Sequence, residues 1–300
     1  MDPLRQPVRR HSLVRRLVFA SCRHAARWLG GRAWYRSRYL GPGRWELREE
    51  RLPVPGLPRA LHGFRILHLS DMHAGPFLGA GDLKAIAQWI AGQMPDLLVL
   101  TGDYITHAWD DVLAIAPDLG ALVPPRGGFA VFGNHDYRGH QEARIAAALR
   151  EQNITCLENK SVRLGELPLW VTGISDLEES PPEAATPCRP ELEAGEFELV
   201  LCHHPLGAPA LVRPGCVAVL AGHTHGRQID LPGLRALGPS HPGLRVNLGP
   251  TTLYVNRGLG VVGVPVRVGV PAEVVCLELV PASPSDSRPT SRMSRPRGPT

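Results

Sequence analysis

The sequence predicts an α/β layered sandwich whose second half is richer in strands. Three observations carry this. Strand-like and helix-like patterns alternate from Phe64 to Arg150. From Leu169 on, strand-like runs dominate. Five of the predicted strands also end in a short cluster of Asp, His or Asn, and α/β sheets gather their polar chemistry beyond the strand ends.

Residues 41–63 are punctuated by Gly41, Pro42, Gly43, Pro53, Pro55, Gly56 and Pro58, and read as a linker or an irregular first strand. The body opens with a strand over Phe64–Ser70. A helix follows over Asp82–Gly92, with Leu83, Ile86, Ala87 and Ile90 on one face. Asp96–Thr101 contains the unbroken apolar run Leu97–Leu100, the mark of a strand buried on both faces. Val112–Leu122 reads as helix, Phe129–Phe132 as strand and Glu142–Arg150 as helix. Leu169–Ile174, Glu198–Leu201 and Val217–Leu220 read as strands. Val246–Leu248, Leu253–Val255, Val261–Val268 and Glu273–Leu279 complete the series, and no internal repeat is visible.

Composition narrows the class. The 300 residues are 43% apolar and 20% charged, enough to bury a sizeable core and too apolar for a disordered chain. No run of about 18 uninterrupted apolar residues occurs, so no transmembrane helix is expected. The net charge of +5 is unevenly placed: +9 over residues 1–51, +3 over 281–300 and −7 over the 229 residues between. An acidic body speaks against nucleic acid, and a basic end on such a body suits an anionic surface. The six cysteines are scattered with no CxxC pair, which fits a reducing compartment better than a disulfide framework or zinc finger.

Three segments follow: a basic amphipathic N-terminus (1–51), a globular body (52–280) and a Ser, Pro and Arg-rich tail (281–300) expected to be disordered. Within Ser12–Leu29, helical spacing puts Val14, Leu17, Val18, Cys22, Ala25, Trp28 and Leu29 on one face, and Arg15, Arg16, Arg23 and Arg27 on the other. Such a helix lies in the headgroup plane of an anionic membrane. A helix packed on its own domain, an unstructured end and a transit peptide are the alternatives, while a signal peptide fits poorly.

The polar clusters are Asp71-Met72-His73, Gly102-Asp103, Gly133-Asn134-His135-Asp136, Cys202-His203-His204-Pro205 and Gly222-His223-Thr224-His225-Gly226. Asp71 and His73 are two apart, as are His223 and His225, so extended backbone would turn each pair toward one side. Carboxylate, imidazole and amide donors without a suitably spaced thiolate suit Mn, Fe or Zn.

Taken in order, these five blocks resemble the signature of the calcineurin-like metallophosphoesterases, over about Phe64 to Gln228. The resemblance implies a four-layer αββα sandwich with a dinuclear metal site at the strand ends. By position it implies a first divalent metal on Asp71, His73 and His225 and a second on Asn134, His203 and His223, with Asp103 bridging. A hydroxide between the metals, manganese first with Fe or Zn as alternatives, then attacks phosphorus. His135 is implied to face the leaving group or a phosphate oxygen, and Asp136 to orient His135 through its other ring nitrogen. In the His203-His204 pair the family pattern favours His203. Arg227, Tyr137 and Arg257 are candidate substrate contacts. Arg227 also departs from the GHTHGGQ of the branch that the region Leu253–Val274 resembles. That branch comprises bacterial membrane-associated phosphodiesterases similar to the UDP-2,3-diacylglucosamine hydrolases of lipid A synthesis.

The implied partners are a phosphorylated lipid or small molecule and an anionic membrane surface, with no nucleic acid. The implied place is the cytoplasmic face of the bacterial inner membrane, or the cytoplasm. A soluble phosphodiesterase for nucleotides or other small diesters is the alternative. A protein phosphatase fits less well, because GDYITH and GNHD stand where that branch has GDxxDRG and GNHE. A scaffold that has lost its activity would lack a ligand, and none is lacking. His68 is expected to be buried structure, Cys202 a core residue, and His107, His140 and His241 solvated loop residues. Arg267 is expected to sit in a strand-surface ion pair or on a phosphate.

Overall fold

Two six-stranded sheets face one another, as the computed structural model shows for residues 24–231 and 243–283, with residues 21 and 233. The first sheet runs β1-β12-β2-β3-β4-β5. Its strands are β1 (Glu46–Val54), β2 (Arg65–Leu69), β3 (Leu97–Thr101), β4 (Gly128–Val131), β5 (Ile154–Cys156) and β12 (Glu273–Pro281). The second runs β10-β11-β9-β8-β7-β6, from β6 (Lys160–Arg163), β7 (Leu169–Gly173), β8 (Phe197–Leu201), β9 (Cys216–Ala221), β10 (Arg245–Leu248) and β11 (Thr251–Val255).

Strand alternation sorts the apolar residues into layers. Ile66, Leu97, Val99 and Val131 of the first sheet meet Val171, Leu199, Leu201 and Leu220 of the second in a central core. The intervening residues Leu67, Leu69, Leu98, Leu100 and Ala130 face the helices. These are α1 (Gly31–Tyr35), α2 (Lys84–Ala91), α3 (Asp111–Gly120) and α4 (Glu142–Arg150), which contribute Tyr35, Ile86, Ile90, Ile115 and Leu149. Short α5 (Ala208–Leu211) covers Val200, Val219 and Leu253 behind the second sheet. The result is the expected helix–sheet–sheet–helix order, and β3 is buried throughout because both its faces are covered.

Three elements differ from the reading of the sequence. The segment read as linker or irregular strand contains nine-residue β1, paired in parallel along its length with β12. It begins at Glu46, upstream of the expected start of the body, and as an edge strand it tolerates Pro53. Strands β5 and β6 carried no periodic signal, being three and four residues long and partly exposed. The run Val261–Val268 is not a strand. Val264 N–H bonds to Val262 O at 3.0 Å and Val266 N–H to Val264 O at 2.8 Å, which are consecutive three-residue turns. The Gln228 amide gathers the carbonyls of Val262, Val264 and Val266 at 3.1–3.2 Å. A valine period of two therefore winds around one side chain instead of entering a sheet.

The N-terminal helix expected over Ser12–Leu29 lies largely outside the described residues, of which 24–28 are helical. His241 and most of the tail also lie outside them. No helix among the described residues is long and apolar enough to cross a membrane.

Candidate metal centre

The loops after β2, β3, β4, β8 and β9 converge, and they bring the five polar clusters together. Asp71, His73, Asp103, His203 and His225 are all buried. Nε2 of His73 and Nε2 of His225 face each other at 3.0 Å, and His225 Nε2 lies 3.3 Å from Asp71 Oδ1. Asp103 Oδ2 sits between the two halves, 3.4 Å from His73 Nε2 and 3.3 Å from His203 Nε2. His223 joins the second half through Nδ1, 3.3 Å from His203 Nε2. Asn134 Oδ1 is buried without a hydrogen-bond partner.

Local backbone conformation makes this convergence. Five of the seven candidate ligands, Asp71, His73, Asp103, His223 and His225, have φ between 47° and 69°. Left-handed conformation is uncommon outside glycine and concentrates at functional sites, where surrounding contacts hold it. The i, i+2 pairs therefore reach one cavity through left-handed turns, not through the extended backbone expected for them. Close approach also restricts the neighbours. A Cβ on Gly222 would collide with the Ser70 and Asp71 side chains, and one on Gly133 with Asp103. The loop Asn256–Gly260 backs Asp71: Leu259 N–H bonds to Ser70 O, Gly260 N–H to Asp71 O, and Asn256 Nδ2 to His68 O.

The supporting hydrogen bonds correct several expected roles. Asp136 does not orient His135. Its carboxylate accepts four main-chain amides, from Asp103 (2.7 Å) and Gly133 (2.9 Å) on Oδ2, and from Tyr104 (2.9 Å) and Ile105 (3.3 Å) on Oδ1. Asp136 ties the β3 and β4 loops together, and the Thr106 carbonyl, 2.9 Å from Nδ1, holds the His135 ring. Burial, then Asp103 nearby, push the Asp136 carboxyl up to about 8, whereas the amides favour its ionised form. Four donors and no acceptor face it, so the carboxylate is the form the geometry accommodates.

Tyr137 is a core residue against Phe132 whose hydroxyl donates to Glu158 at 2.9 Å, so it caps no substrate. Arg257 is buried between Glu273, with which it makes a short ion pair, and Glu46 at 2.9 Å, so it is spent on structure. Arg267 likewise donates to the carbonyls of Arg257, Gly258 and Gly260. Arg227 remains beside the centre. It lies 3.8 Å from Asp230, its Nε is buried without a hydrogen-bond partner, and its head is partly exposed. His204 stacks on His223 with ring centres 4.0 Å apart and accepts from Leu206 N–H, which leaves His203 as the member turned toward Asp103. His68 is buried at 2.9 Å from Thr101 Oγ1 on the inter-sheet side, and Cys202 is buried. His107 and His140 are exposed, His107 with its ring 6.4 Å from that of His135.

Reading by motif passed over Thr101, whose carbonyl takes His203 Nδ1–H at 2.6 Å, and Thr106. It also passed over Arg138, whose guanidinium lies 3.0 Å from His135 Nδ1, and over buried Asp176 after β7. Only proximity to the blocks pointed to any of them.

The residues fit two cations. Two nitrogens bound to one metal at about 2.0–2.2 Å stand about 3 Å apart at a right angle, the separation seen between His73 and His225. Burial holds His73, His223 and His225 well below the ordinary imidazole range, so each offers a neutral lone pair. Burial alone would raise Asp103, yet the charge of His203 beside it keeps that carboxyl well below the usual range. Grouped donors are Asp71, His73 and His225 on one side and Asp71, Asp103 and His203 on the other, with Asn134 and His223 adjoining.

Comparison with known proteins agrees with this geometry. The family model of the calcineurin-like phosphoesterases matches residues 64–227. The chain belongs to that family. It is 30% identical to the uncharacterized metallophosphoesterase YkuE of Bacillus subtilis over 81% of this chain and 88% of that protein. It is 32% identical to YkoQ of the same organism over 73% and 84%. A Danio rerio transmembrane protein with a metallophosphoesterase domain is 30% identical over 76% of this chain, which spans about half (56%) of that protein. The chain is thus a metallophosphoesterase, a hydrolase of phosphoric esters, and its family implies a dinuclear divalent metal site.

Proposed function

We propose that this metallophosphoesterase cleaves a phosphodiester or pyrophosphate bond of a lipid-linked substrate at a membrane surface, in the manner of the UDP-2,3-diacylglucosamine hydrolases, with manganese as its metal. The observation that carries the phosphoesterase reading is the convergence of the five polar blocks around Asp103, whose Oδ2 lies 3.4 Å from His73 and 3.3 Å from His203. The basic N-terminal segment supports the membrane surface, as does the name of the vertebrate relative, the scattered cysteines support the cytoplasmic face, and the likeness of Leu253–Val274 to membrane-associated phosphodiesterases supports the lipid substrate.

When bound, two divalent cations supply Lewis-acid charge to the phosphoryl oxygens and lower the pKa of water. Asp71, His73 and His225 would hold one cation and Asn134, His203 and His223 the other, with Asp103 between them. With the Arg138 guanidinium drawn from His135 Nδ1 to the substrate, Nδ1 donates to the Thr106 carbonyl and Nε2 is the atom that takes up a further proton. The negative charge of a bound substrate favours that uptake, and Nε2 then returns the proton to the leaving oxygen. Arg138, 3.0 Å from the same ring, and Arg227 with its unpartnered Nε supply positive charge to the non-bridging oxygens.

The test strips metal from the protein, adds back Mn, Fe, Zn or Mg singly, and compares chromogenic diester with monoester. Asp103→Ala serves as control, and vesicle-borne diphosphate lipids follow. Metal-dependent diester turnover lost in Asp103→Ala, with faster turnover of the lipid diphosphate, is the expected result. Preference for nucleotide diesters over every lipid would overturn the lipid-linked reading and leave the phosphoesterase intact.

A further inference from the structure

Beside the metal centre lies a cavity of about 410 Å³ lined by Arg27, Arg32 and Arg36 on one wall and Gly75 and Pro76 on the other. We propose that this cavity receives the phosphate of an anionic phospholipid headgroup at a bilayer surface, while Trp28, Leu29 and Trp34 enter the interface around it. The proposal rests on the membrane-surface reading above and names the residues that carry it.

Charge favours an anion. Arg32 bonds Asp82 at 2.8 Å and Arg36 stands 3.7 Å from the same carboxylate, so two guanidinium groups share one buried acid. Asp82 also accepts the Gly79 amide and is committed to its loop. Among the described residues, Asp111, partly buried, is the acid that feels the charge of Arg27. Three arginines face two acids, Asp82 shared by Arg32 and Arg36 and Asp111 at the Gly75 wall, where its Oδ2 would stand 2.9 Å from a Cβ, so the lining keeps a surplus of one positive charge, and its volume suits a small polar group.

Apolar exposure favours a bilayer as the source of that anion. Among the described residues six large hydrophobic side chains are exposed, and three of them fall within seven residues of one another: Trp28 at 88%, Leu29 at 86% and Trp34 at 45%. They alternate with the arginines of the cavity. Basic groups among exposed Trp and Leu make the composition of a segment that lies in the headgroup region. On its inner side the same helical stretch buries Tyr35 and Tyr39, whose hydroxyls donate to Leu259 O at 2.5 Å and Arg267 O at 2.8 Å. The patch is therefore fixed to the loops that back Asp71.

The cavity is also coupled in space to the site of reaction. Gly75 follows the ligand His73 by two residues, and a Cβ there would lie 3.7 Å from Thr106 Oγ1. Thr106 in turn bonds His73 O and His135 Nδ1. A headgroup seated between Arg27 and Arg36 would thus hold the metal centre at the bilayer, within reach of a lipid-borne phosphate.

The experiment measures binding of the full, metal-loaded chain to phosphatidylcholine vesicles with and without phosphatidylglycerol. Arg27→Ala/Arg36→Ala leaves Arg32 in place for Asp82, and Arg59→Ala/Arg126→Ala removes the same charge at exposed positions outside the cavity lining. The cavity pair should weaken binding to anionic vesicles by about 30-fold, the effect of two basic groups at such a surface. The outer pair should cost less than about threefold. Trp28→Ala/Leu29→Ala should weaken binding as well, and turnover of a soluble chromogenic diester should persist in all three. Equal losses in the two arginine pairs would mean diffuse attraction and overturn the site. Displacement from vesicles by millimolar glycerol 3-phosphate, with that compound bound equally well in their absence, would make the cavity a small-molecule subsite and also overturn it. No binding of the unaltered chain to anionic vesicles would sink the membrane reading itself. Binding that only the cavity variants fail to weaken would sink the site alone.

Discussion

Asp136 offers the sharpest test of how the centre is built. Replacing it by Asn keeps shape and volume but exchanges one acceptor oxygen for an NH2 group. In the folded protein both oxygens are saturated, each by two amide donors, so one pair of amides would lose its acceptor and meet a donor instead. Hydrogen bonds to a charged group contribute about 1.5–3 kcal/mol each, so two of them come to about 3–6 kcal/mol. That is a large part of the ~5–15 kcal/mol by which domains are stable. With an m-value of about 3 kcal/mol/M, the urea midpoint of Asp136→Asn should fall by about 1–2 M relative to the unaltered protein. Loss of turnover should accompany this, because each pair holds the Asp103 loop, one through the amide of Asp103 itself and the other through those of Tyr104 and Ile105. An Asp136 that merely oriented His135 would behave differently, losing turnover while the midpoint held. A midpoint shift below about 0.3 M together with a large fall in kcat would refute the structural assignment.

Other substitutions separate structural from chemical roles. His68 is buried with its pKa lowered to about 3, so below pH 6.5 the unfolded chain takes a proton that the folded one refuses, and stability falls as pH drops from 6.5 toward 3. Folding titrations of His68→Gln should show that slope reduced by about 1.4 kcal/mol per pH unit between pH 5 and 6, and an unchanged slope would disprove burial as neutral imidazole. Arg257→Ala removes the nearest cation from buried Glu273, which keeps the Tyr254 hydroxyl and Arg48, and should cost about 3 kcal/mol in chemical denaturation, whereas a rise in KM at unchanged stability would restore Arg257 to the substrate. Tyr137→Phe should lose about 1 kcal/mol with its bond to Glu158 and leave KM for the chromogenic diester unchanged; a several-fold rise in KM would contradict its placement in the core.

Side-chain roles divided along a physical line. Residues whose chemistry is useful only when gathered, such as Asp71, His73 and His225, were visible because they recur in short blocks behind strands. Charged or aromatic residues with an equally good structural use were not separable by type. Arg257 and Arg267 are as well suited to a phosphate as to Glu273 or a cluster of carbonyls, and only their neighbours from β12, α1 and the 256–260 loop settle the matter. Asp136 is similar. Its place beside His135 suggested a carboxylate–imidazole pair, but nearness along the chain said nothing of the amides from the β3 loop that reach it first.

By itself the sequence determined the layered α/β class, most of the strands, and the donor chemistry of the centre, because apolar periodicity and residue type are local properties. Tertiary structure alone decided that β1 closes the sheet against β12, since parallel pairing between chain ends leaves no local trace. It decided that Val261–Val268 coils around Gln228, since a period of two suits any alternating environment. It also decided that the ligands meet through left-handed turns, a conformation set by contacts from other strands. Above all it seated Arg27, Arg32 and Arg36 one short loop from the metal centre, a neighbourhood created when α1 and the helical turn after it dock through Tyr35 and Tyr39.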